Sequence, residues 1–239
     1  MSEFVVQPTE LWRRLTAECI GSAFLAAIVI GSGIAAQTLS PGSIGLELLE
    51  NAVATAAGLY VIILMCGPVS GAHFNPVITF VDAHFGGLPW RTALAYVPAQ
   101  VGGCCAGAVV ANLMFSRAAV SLSVHHRATG AHFLAEIVAT LGLVVVVFSL
   151  ARSGRNSSAA AAVGAYIGSA YFFTSSTSFA NPAITVARML SNSFAGIAPT
   201  SAPAFIAAQV LGGLVGVGVI RVLYPGLTAE DAARVVEAS

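Results

Sequence analysis

The stretches "GAHFNPVITF" (Gly71–Phe80) and "FANPAITVAR" (Phe179–Arg188) share one pattern: Asn-Pro, a small apolar residue, Ile and Thr. Asn is a favoured N-cap residue, and Pro is favoured at the first helical position, where its missing N–H costs nothing. Each Asn-Pro pair therefore predicts the start of a helix. The first can run over Pro76–Phe85, because a Gly-Gly pair follows. At 1.5 Å per residue this helix is ~15 Å long, about half the hydrocarbon thickness of a bilayer.

The composition predicts a membrane protein. Hydrophobic residues make up 57% of the chain and charged residues only 8%, whereas soluble domains carry about 25% charged residues. Spans of ~20 apolar residues cross a bilayer as helices, and the apolar stretches lack the alternation of barrel strands. Six stretches qualify, the fifth only if its polar end lies in protein. They cover residues 15–36, 52–69, 93–115, 133–150, 159–174 and 202–223.

The chain repeats itself. "AECIGSAFLA" (17–26) resembles "AEIVATLGLV" (135–144), and "AYVPAQVGGCCAG" (95–107) resembles "AFIAAQVLGGLVG" (204–216). One Asn-Pro segment lies in each half. Each half has three spans, an odd number, so the second half must lie upside down relative to the first. Such inverted repeats are typical of membrane transport proteins.

We predict one membrane domain over 1–239. Repeat one covers about 10–117, repeat two about 130–224, and 225–239 forms a short cytoplasmic tail. Placing both termini in the cytoplasm puts seven arginines inside and three outside, in accordance with the positive-inside rule. The inside set is Arg13, Arg14, Arg91, Arg152, Arg155, Arg221 and Arg234, and the outside set is Arg117, Arg127 and Arg188.

The two short helices predict a pore. Entering from opposite faces, they would meet with their amino ends at the midplane, each preceded by polar, non-helical backbone that is tolerated there only in protein or beside a water-filled cavity. Each amino end carries roughly +0.5 of an elementary charge, which repels cations and protons. The amide donors of Asn75 and Asn181 would remain free for a passing oxygen atom. The alternative interpretation is that Asn75 and Asn181 are ordinary N-caps of helices packed in a bundle. The occurrence of the motif at equivalent places in both inverted repeats favours the pore.

These motifs resemble those of the aquaporin family, the major intrinsic proteins, over about residues 10–224. The resemblance implies an all-α membrane protein with six transmembrane helices, two half-helices and an inverted repeat. It also implies a homotetramer with one pore per subunit, in a bacterial inner membrane. The family motif usually reads Asn-Pro-Ala, and here the two pore motifs are Asn75-Pro76-Val77 and Asn181-Pro182-Ala183.

The resemblance also implies a selectivity filter on one side of the Asn pair. Counting without gaps from each Asn places Thr55, Ser169, Ser178 and Ile184 in it. Most family members have Arg at the last position, and the nearest Arg here is Arg188, one helical turn further on. The resulting ring is short-armed and uncharged. It implies a wide, Arg-free filter for water, glycerol-like polyols and neutral metalloid hydroxides such as arsenous acid.

Several polar residues in the apolar helices are candidates for supporting the pore. Glu18 and Glu136 occupy equivalent places in the two repeats, and each can accept hydrogen bonds from the segment leading to a half-helix. Gln100 and Gln209 are expected to support the same segments. His73 is interpreted as a hydrogen-bonded loop residue, with a pore-lining or pH-sensing role as the alternative.

Other classes of function lack a matching pattern. The sequence has no metal-ligand spacing, nucleophile elbow or phosphate loop, so we expect no enzyme, cofactor or metal site. The net charge of +0 gives no indication of a nucleic-acid partner. An inverted-repeat secondary transporter for a small neutral solute is the alternative to a channel. The absence of an acid or base beside Asn75 and Asn181 favours the channel.

Overall fold

The computed structural model describes residues 10–225, so the predicted tail lies outside the described residues except for its first position. A 3-10 turn, Asn156–Ser158, precedes the sixth of the α-helices. The helices are α1 (Leu11–Leu39), α2 (Ile44–Ser70), α3 (Pro76–Phe85), α4 (Trp90–Met114), α5 (Gly130–Arg152), α6 (Ala159–Phe173), α7 (Pro182–Arg188) and α8 (Ala202–Leu223).

Among residues 10–225, six long helices and two short ones confirm the predicted fold class. Within the described part of the chain, five helices are long and apolar enough to cross a bilayer on their own. The remaining long helix, α6, has 15 residues and is only ~22 Å long. A non-helical, mostly buried segment connects α6 to α7, in accordance with the requirement that its polar end lie in protein. The largest boundary difference is at α2, which begins at Ile44 rather than near residue 52.

The helices pack in the same pairs in both halves. Helix α1 packs on α4, and α5 packs on α8. Both pairs approach closely at glycine: a Cβ atom on Gly103 would overlap the carbonyl oxygen of Cys19, and one on Gly212 would overlap that of Ile137. Helix α2 packs on α6 and joins the two halves. The small residues of the "GG" motifs therefore set the distance between helices.

The outward faces of the long helices are apolar. Large hydrophobic side chains on five different helices are exposed to the surroundings of the single chain, as a lipid-facing surface requires. Examples are Phe24, Val61, Leu94, Leu134 and Leu214.

We predict that Gly103→Ala destabilises the protein and that the neighbouring Gly102→Ala does not. The added methyl group of Gly103→Ala overlaps the α1 backbone, which costs roughly 1–3 kcal/mol, whereas a Cβ atom on Gly102 meets nothing within 4 Å. The measurement is the apparent melting temperature of each purified variant in detergent. Equal melting temperatures for the two variants would show that the α1–α4 contact is not limited by Gly103.

Candidate functional site

The two Asn-Pro segments begin the two short helices as the sequence predicts. Asn75 is the N-cap of α3, and its Oδ1 accepts a 3.0 Å hydrogen bond from the Val77 N–H. Asn181 is the N-cap of α7, and its Oδ1 accepts a 2.9 Å bond from the Ala183 N–H. Pro76 and Pro182 occupy the first helical positions.

The third residue of each pore motif is buried. The side chain of Val77 is buried against α8, so closely that a Cβ atom added to Gly213 would overlap it. Ala183 is fully buried. These two residues therefore pack the half-helices against the rest of the protein.

The two N-cap residues also join the repeats to each other. The Nδ2 of Asn75 donates to the carbonyl oxygen of Ala180 at 2.7 Å, and the Nδ2 of Asn181 donates to that of Phe74 at 2.8 Å. An amide group has two N–H donors, so each Asn uses one across the repeat interface. The side-chain amides are thus only half as free as the sequence suggests, with one N–H on each left for a solute.

A buried carboxylate holds the segment that precedes Asn75. Glu18 is fully buried on α1. Its Oε1 accepts the N–H of His73 at 3.0 Å, and its Oε2 accepts the N–H of Phe74 at 2.8 Å. The Nε2 of Gln100 donates to the same Oε2 at 2.8 Å. The carboxylate thereby satisfies two backbone donors that no helix or strand could satisfy at this depth.

The second repeat uses the same arrangement. Glu136 accepts the N–H groups of Phe179 and Ala180, both at 2.9 Å, and Gln209 donates its Nε2 to Glu136 at 2.6 Å. The residue before each Asn has a left-handed backbone, with φ of 49° at Phe74 and 47° at Ala180. Such a conformation is strained for a residue other than glycine and persists only where the surroundings fix it.

A cavity of about 430 Å³ runs past the two Asn side chains, and both line it. Its lining extends along α2 from Thr55 to Pro68, which is ~20 Å of helix, or about two thirds of the hydrocarbon core. Most of its wall is apolar. The apolar lining includes Leu25, Val29, Leu59, Leu143, Val147 and Val163.

Three of the four predicted filter residues line this cavity. They are Thr55 from α2, Ser178 from the segment before α7, and Ile184 from the first turn of α7. The hydroxyl oxygen of Ser178 is buried and has no hydrogen-bond partner among residues 10–225. It is therefore available to a solute in the cavity.

The fourth predicted filter residue, Ser169, is placed elsewhere by the structure. It lies on the exposed face of α6, and its hydroxyl donates to the Tyr166 carbonyl oxygen at 2.8 Å. Tyr171 lines the cavity instead, with its hydroxyl 3.1 Å from that of Thr55. Two residues correspond to ~200° of rotation on a helix. Ser169 and Tyr171 therefore lie on opposite faces of α6, and a count from Asn181 that is wrong by two residues selects the wrong face. The cavity wall beside Thr55 is therefore formed by the larger side chain of Tyr171 rather than by a serine.

The ungapped count also passed over Arg188. This side chain is only 2% exposed and lines the cavity, so it is not one of the external loop charges that orient the chain. Its Nε donates to the Ala195 carbonyl oxygen, and its guanidinium carbon lies 3.3 Å from the centroid of the Phe179 ring. Position 184 lacks Arg, but the cavity does not. The sequence already indicates this position, because Arg188 follows Ile184 by four residues and residues i and i+4 share a helix face.

An acidic residue also lines the cavity. Asp82 on α3 is 1% exposed, and its Oδ2 lies 3.6 Å from the Nε2 of His73. The Nδ1 of His73 lies 3.1 Å from the Thr79 hydroxyl. His73 is therefore both hydrogen-bonded and cavity-lining, so the two interpretations of this residue are compatible. Asp82 follows Asn75 by seven positions, a spacing that places both on one face.

Comparison with known proteins gives the class of this architecture. The family model described as "Major intrinsic protein" matches residues 5–179 and 175–239. The chain belongs to the major intrinsic protein family, which confirms the resemblance and identifies a passive channel class rather than an enzyme. With its apolar helices, it is a multi-pass protein of the cell membrane.

Individual relatives agree with this assignment. The chain is 43% identical to "Aquaglyceroporin AqpS" of Rhizobium meliloti (strain 1021) over 216 residues, which cover 90% of this chain and 92% of the relative. It is 28% identical to "Aquaporin NIP6-1" of Arabidopsis thaliana over 231 residues, or 93% of this chain and 72% of that protein. The X-ray structure of the aquaglyceroporin from Plasmodium falciparum has the same fold, with a TM-score of 0.65, 19% identity, and coverage of 90% of this chain and 98% of that one.

We predict that Glu136→Gln lowers stability much more than Glu47→Gln. A glutamine at 136 has a single acceptor oxygen, so at least one donor among Phe179, Ala180 and Gln209 loses its partner, at roughly 1–3 kcal/mol for each. Glu47 is buried in the first turn of α2 but does not line the cavity, so it controls for the loss of a carboxylate. Melting temperatures in detergent provide the comparison. Equal losses would indicate that the Glu136 bonds do not stabilise the segment before α7.

Proposed function

We propose that the protein conducts water and small neutral solutes of about glycerol size, including polyols and undissociated metalloid acids such as arsenous acid. The observation that carries this proposal is the cavity that extends ~20 Å along α2 with one free N–H of Asn75 and one of Asn181 beside it. A relative with 43% identity carries the name aquaglyceroporin, which supports the same class of solute.

The lining favours solutes with hydroxyl groups on one side and carbon on the other. The cavity lining offers amide donors at Asn75 and Asn181 and a free hydroxyl at Ser178, and Ile184 contributes apolar wall. A polyol can exchange its hydration for these groups in sequence and keep its C–H edge against apolar wall. Ions cannot make an equivalent exchange, because a lone charge in such surroundings loses far more hydration than it regains.

The predicted orientation and assembly belong to the same proposal. The excess of arginines on one side favours cytoplasmic termini in a bacterial inner membrane. A homotetramer with one pore per subunit is inferred from the family resemblance, and the exposed apolar faces of the long helices offer surface for lipid or for neighbouring subunits.

The direct test is stopped-flow light scattering on proteoliposomes with water, glycerol, urea and arsenite, using protein-free liposomes as the control. We expect faster entry of glycerol, urea and arsenite, with rates that rise linearly with concentration and need no ion gradient. Rates that saturate and depend on an ion gradient would instead identify the secondary transporter. Fast water flux with exclusion of every larger solute would contradict the proposed solute range.

We predict that Ile184→Arg narrows the passage. The new side chain adds bulk and charge at a cavity-lining position, so glycerol and arsenite flux should fall roughly tenfold or more while water flux falls much less. Ile184→Val is the matched control, because it removes one methyl group and should leave glycerol flux at least as fast. Both variants are compared in the same scattering assay after confirming reconstitution. Unchanged glycerol flux in a folded Ile184→Arg variant would remove position 184 from the filter.

A further inference from the structure

The two half-helices present the same pattern of residues to the cavity. From each Asn, the residue three positions on is isoleucine and the residue seven positions on is charged. These are Ile78 and Asp82 on α3, and Ile184 and Arg188 on α7. All four line the cavity, as do both Asn residues. Positions i, i+3 and i+7 lie on one helix face. The two repeats therefore place a negative side chain, Asp82, and a positive one, Arg188, at equivalent positions.

The two charges lie on opposite sides of the Asn pair. The half-helices start where the Asn side chains meet and run in opposite directions, and seven residues of helix extend ~10 Å. Asp82 and Arg188 are therefore ~20 Å apart along the axes of the two half-helices. A solute that moves along the cavity past both half-helices also passes both charged side chains.

The Asp82 carboxyl group accepts no hydrogen bond in the described part of the chain, and Arg14 is a positive charge that acts on it. Both carboxylate oxygens of Asp82 are buried. Its contact with His73 is a 3.6 Å approach between Oδ2 and Nε2. A buried acid without hydrogen bonds is costly for a folded protein, and an ionisable group at membrane depth is a functional candidate for that reason.

Arg188 is held in place without being neutralised. Its Nε donates to the Ala195 carbonyl oxygen, and its guanidinium carbon lies 3.3 Å from the centroid of the Phe179 ring. Among residues 10–225 no carboxylate lies within ion-pair distance of it. The guanidinium therefore keeps its full positive charge beside the cavity that it lines.

We infer that Asp82 and Arg188 form two charged stations that together exclude ions of both signs. Arg188 repels cations at the α7 end, in place of the Arg that position 184 lacks, and Asp82 repels anions at the α3 end. The low dielectric of the cavity strengthens both repulsions. A neutral polyol meets neither barrier and can hydrogen-bond to both stations. This inference rests on the proposed channel function.

The test measures neutral-solute flux and ion leak in the same proteoliposomes, at mildly alkaline pH so that carboxyl groups are ionised. Glycerol entry is followed by light scattering, and the leaks of potassium and of nitrate are followed separately by a voltage-sensitive dye. The variants are Arg188→Gln, Asp82→Asn and their combination. Glu47→Gln and Arg117→Gln serve as matched controls, because each removes one charge that does not line the cavity. Arg188→Met and Asp82→Leu are second neutral variants should the first fail to fold.

We expect each single substitution to raise the leak of one ion and to leave the leak of the other ion unchanged. Neutralising Arg188 should raise the potassium leak by about tenfold or more, and neutralising Asp82 should raise the nitrate leak similarly, since each removes one Coulombic barrier. Glycerol entry faster than in protein-free liposomes, at whatever rate, serves only to show that a variant is folded and reconstituted, because both side chains line the glycerol path and can change its rate. If glycerol enters through the wild type but neither leak rises in variants that still pass glycerol, the charged stations are overturned and the channel stands. A wild type that passes no neutral solute overturns the proposed function itself.

Discussion

The architecture depends on two buried carboxylates that accept hydrogen bonds from backbone. Helical spans satisfy their own peptide groups, but the segments before α3 and α7 cannot, because they are non-helical inside the membrane. Glu18 and Glu136 each accept the two N–H groups that immediately precede an Asn. These bonds fix the left-handed residues Phe74 and Ala180. The direction of both Asn side chains follows from that backbone.

The glutamines extend this constraint to the neighbouring helices. Gln100 donates from one Nε2 to Glu18 and to the Thr79 hydroxyl at 2.9 Å. In the other repeat, Gln209 links its carboxylate in the same way to Thr185, also at 2.9 Å. Helix α4, through Gln100, and helix α8, through Gln209, are each thereby connected both to a carboxylate and to a half-helix. Shared networks of this kind are rigid, since moving one member breaks several bonds.

The sequence predicts the features that local chemistry determines. N-cap and proline preferences place the starts of α3 and α7 correctly, and hydropathy finds the spans. The sequence does not determine which face of α6 points toward the cavity. Ser169 and Tyr171 are equally good filter candidates until the path of the segment between α6 and α7 is known. Counting filter positions from the family pattern selects Ile184 rather than Arg188, which lies one turn further on, and does not select Asp82. The spacing of seven from each Asn already placed Asp82 and Arg188 on the cavity face.

The bonds between the two N-cap residues have a consequence for biosynthesis. Asn75 donates to a carbonyl group 105 positions later in the chain, and Asn181 donates to one 107 positions earlier. Neither half can complete its own set of polar contacts. While the ribosome is still translating α5 and α6, the first half-helix lacks its partner at membrane depth. The amino-terminal repeat must therefore await the second Asn-Pro segment before it reaches its final state, so the two halves mature as one cooperative unit.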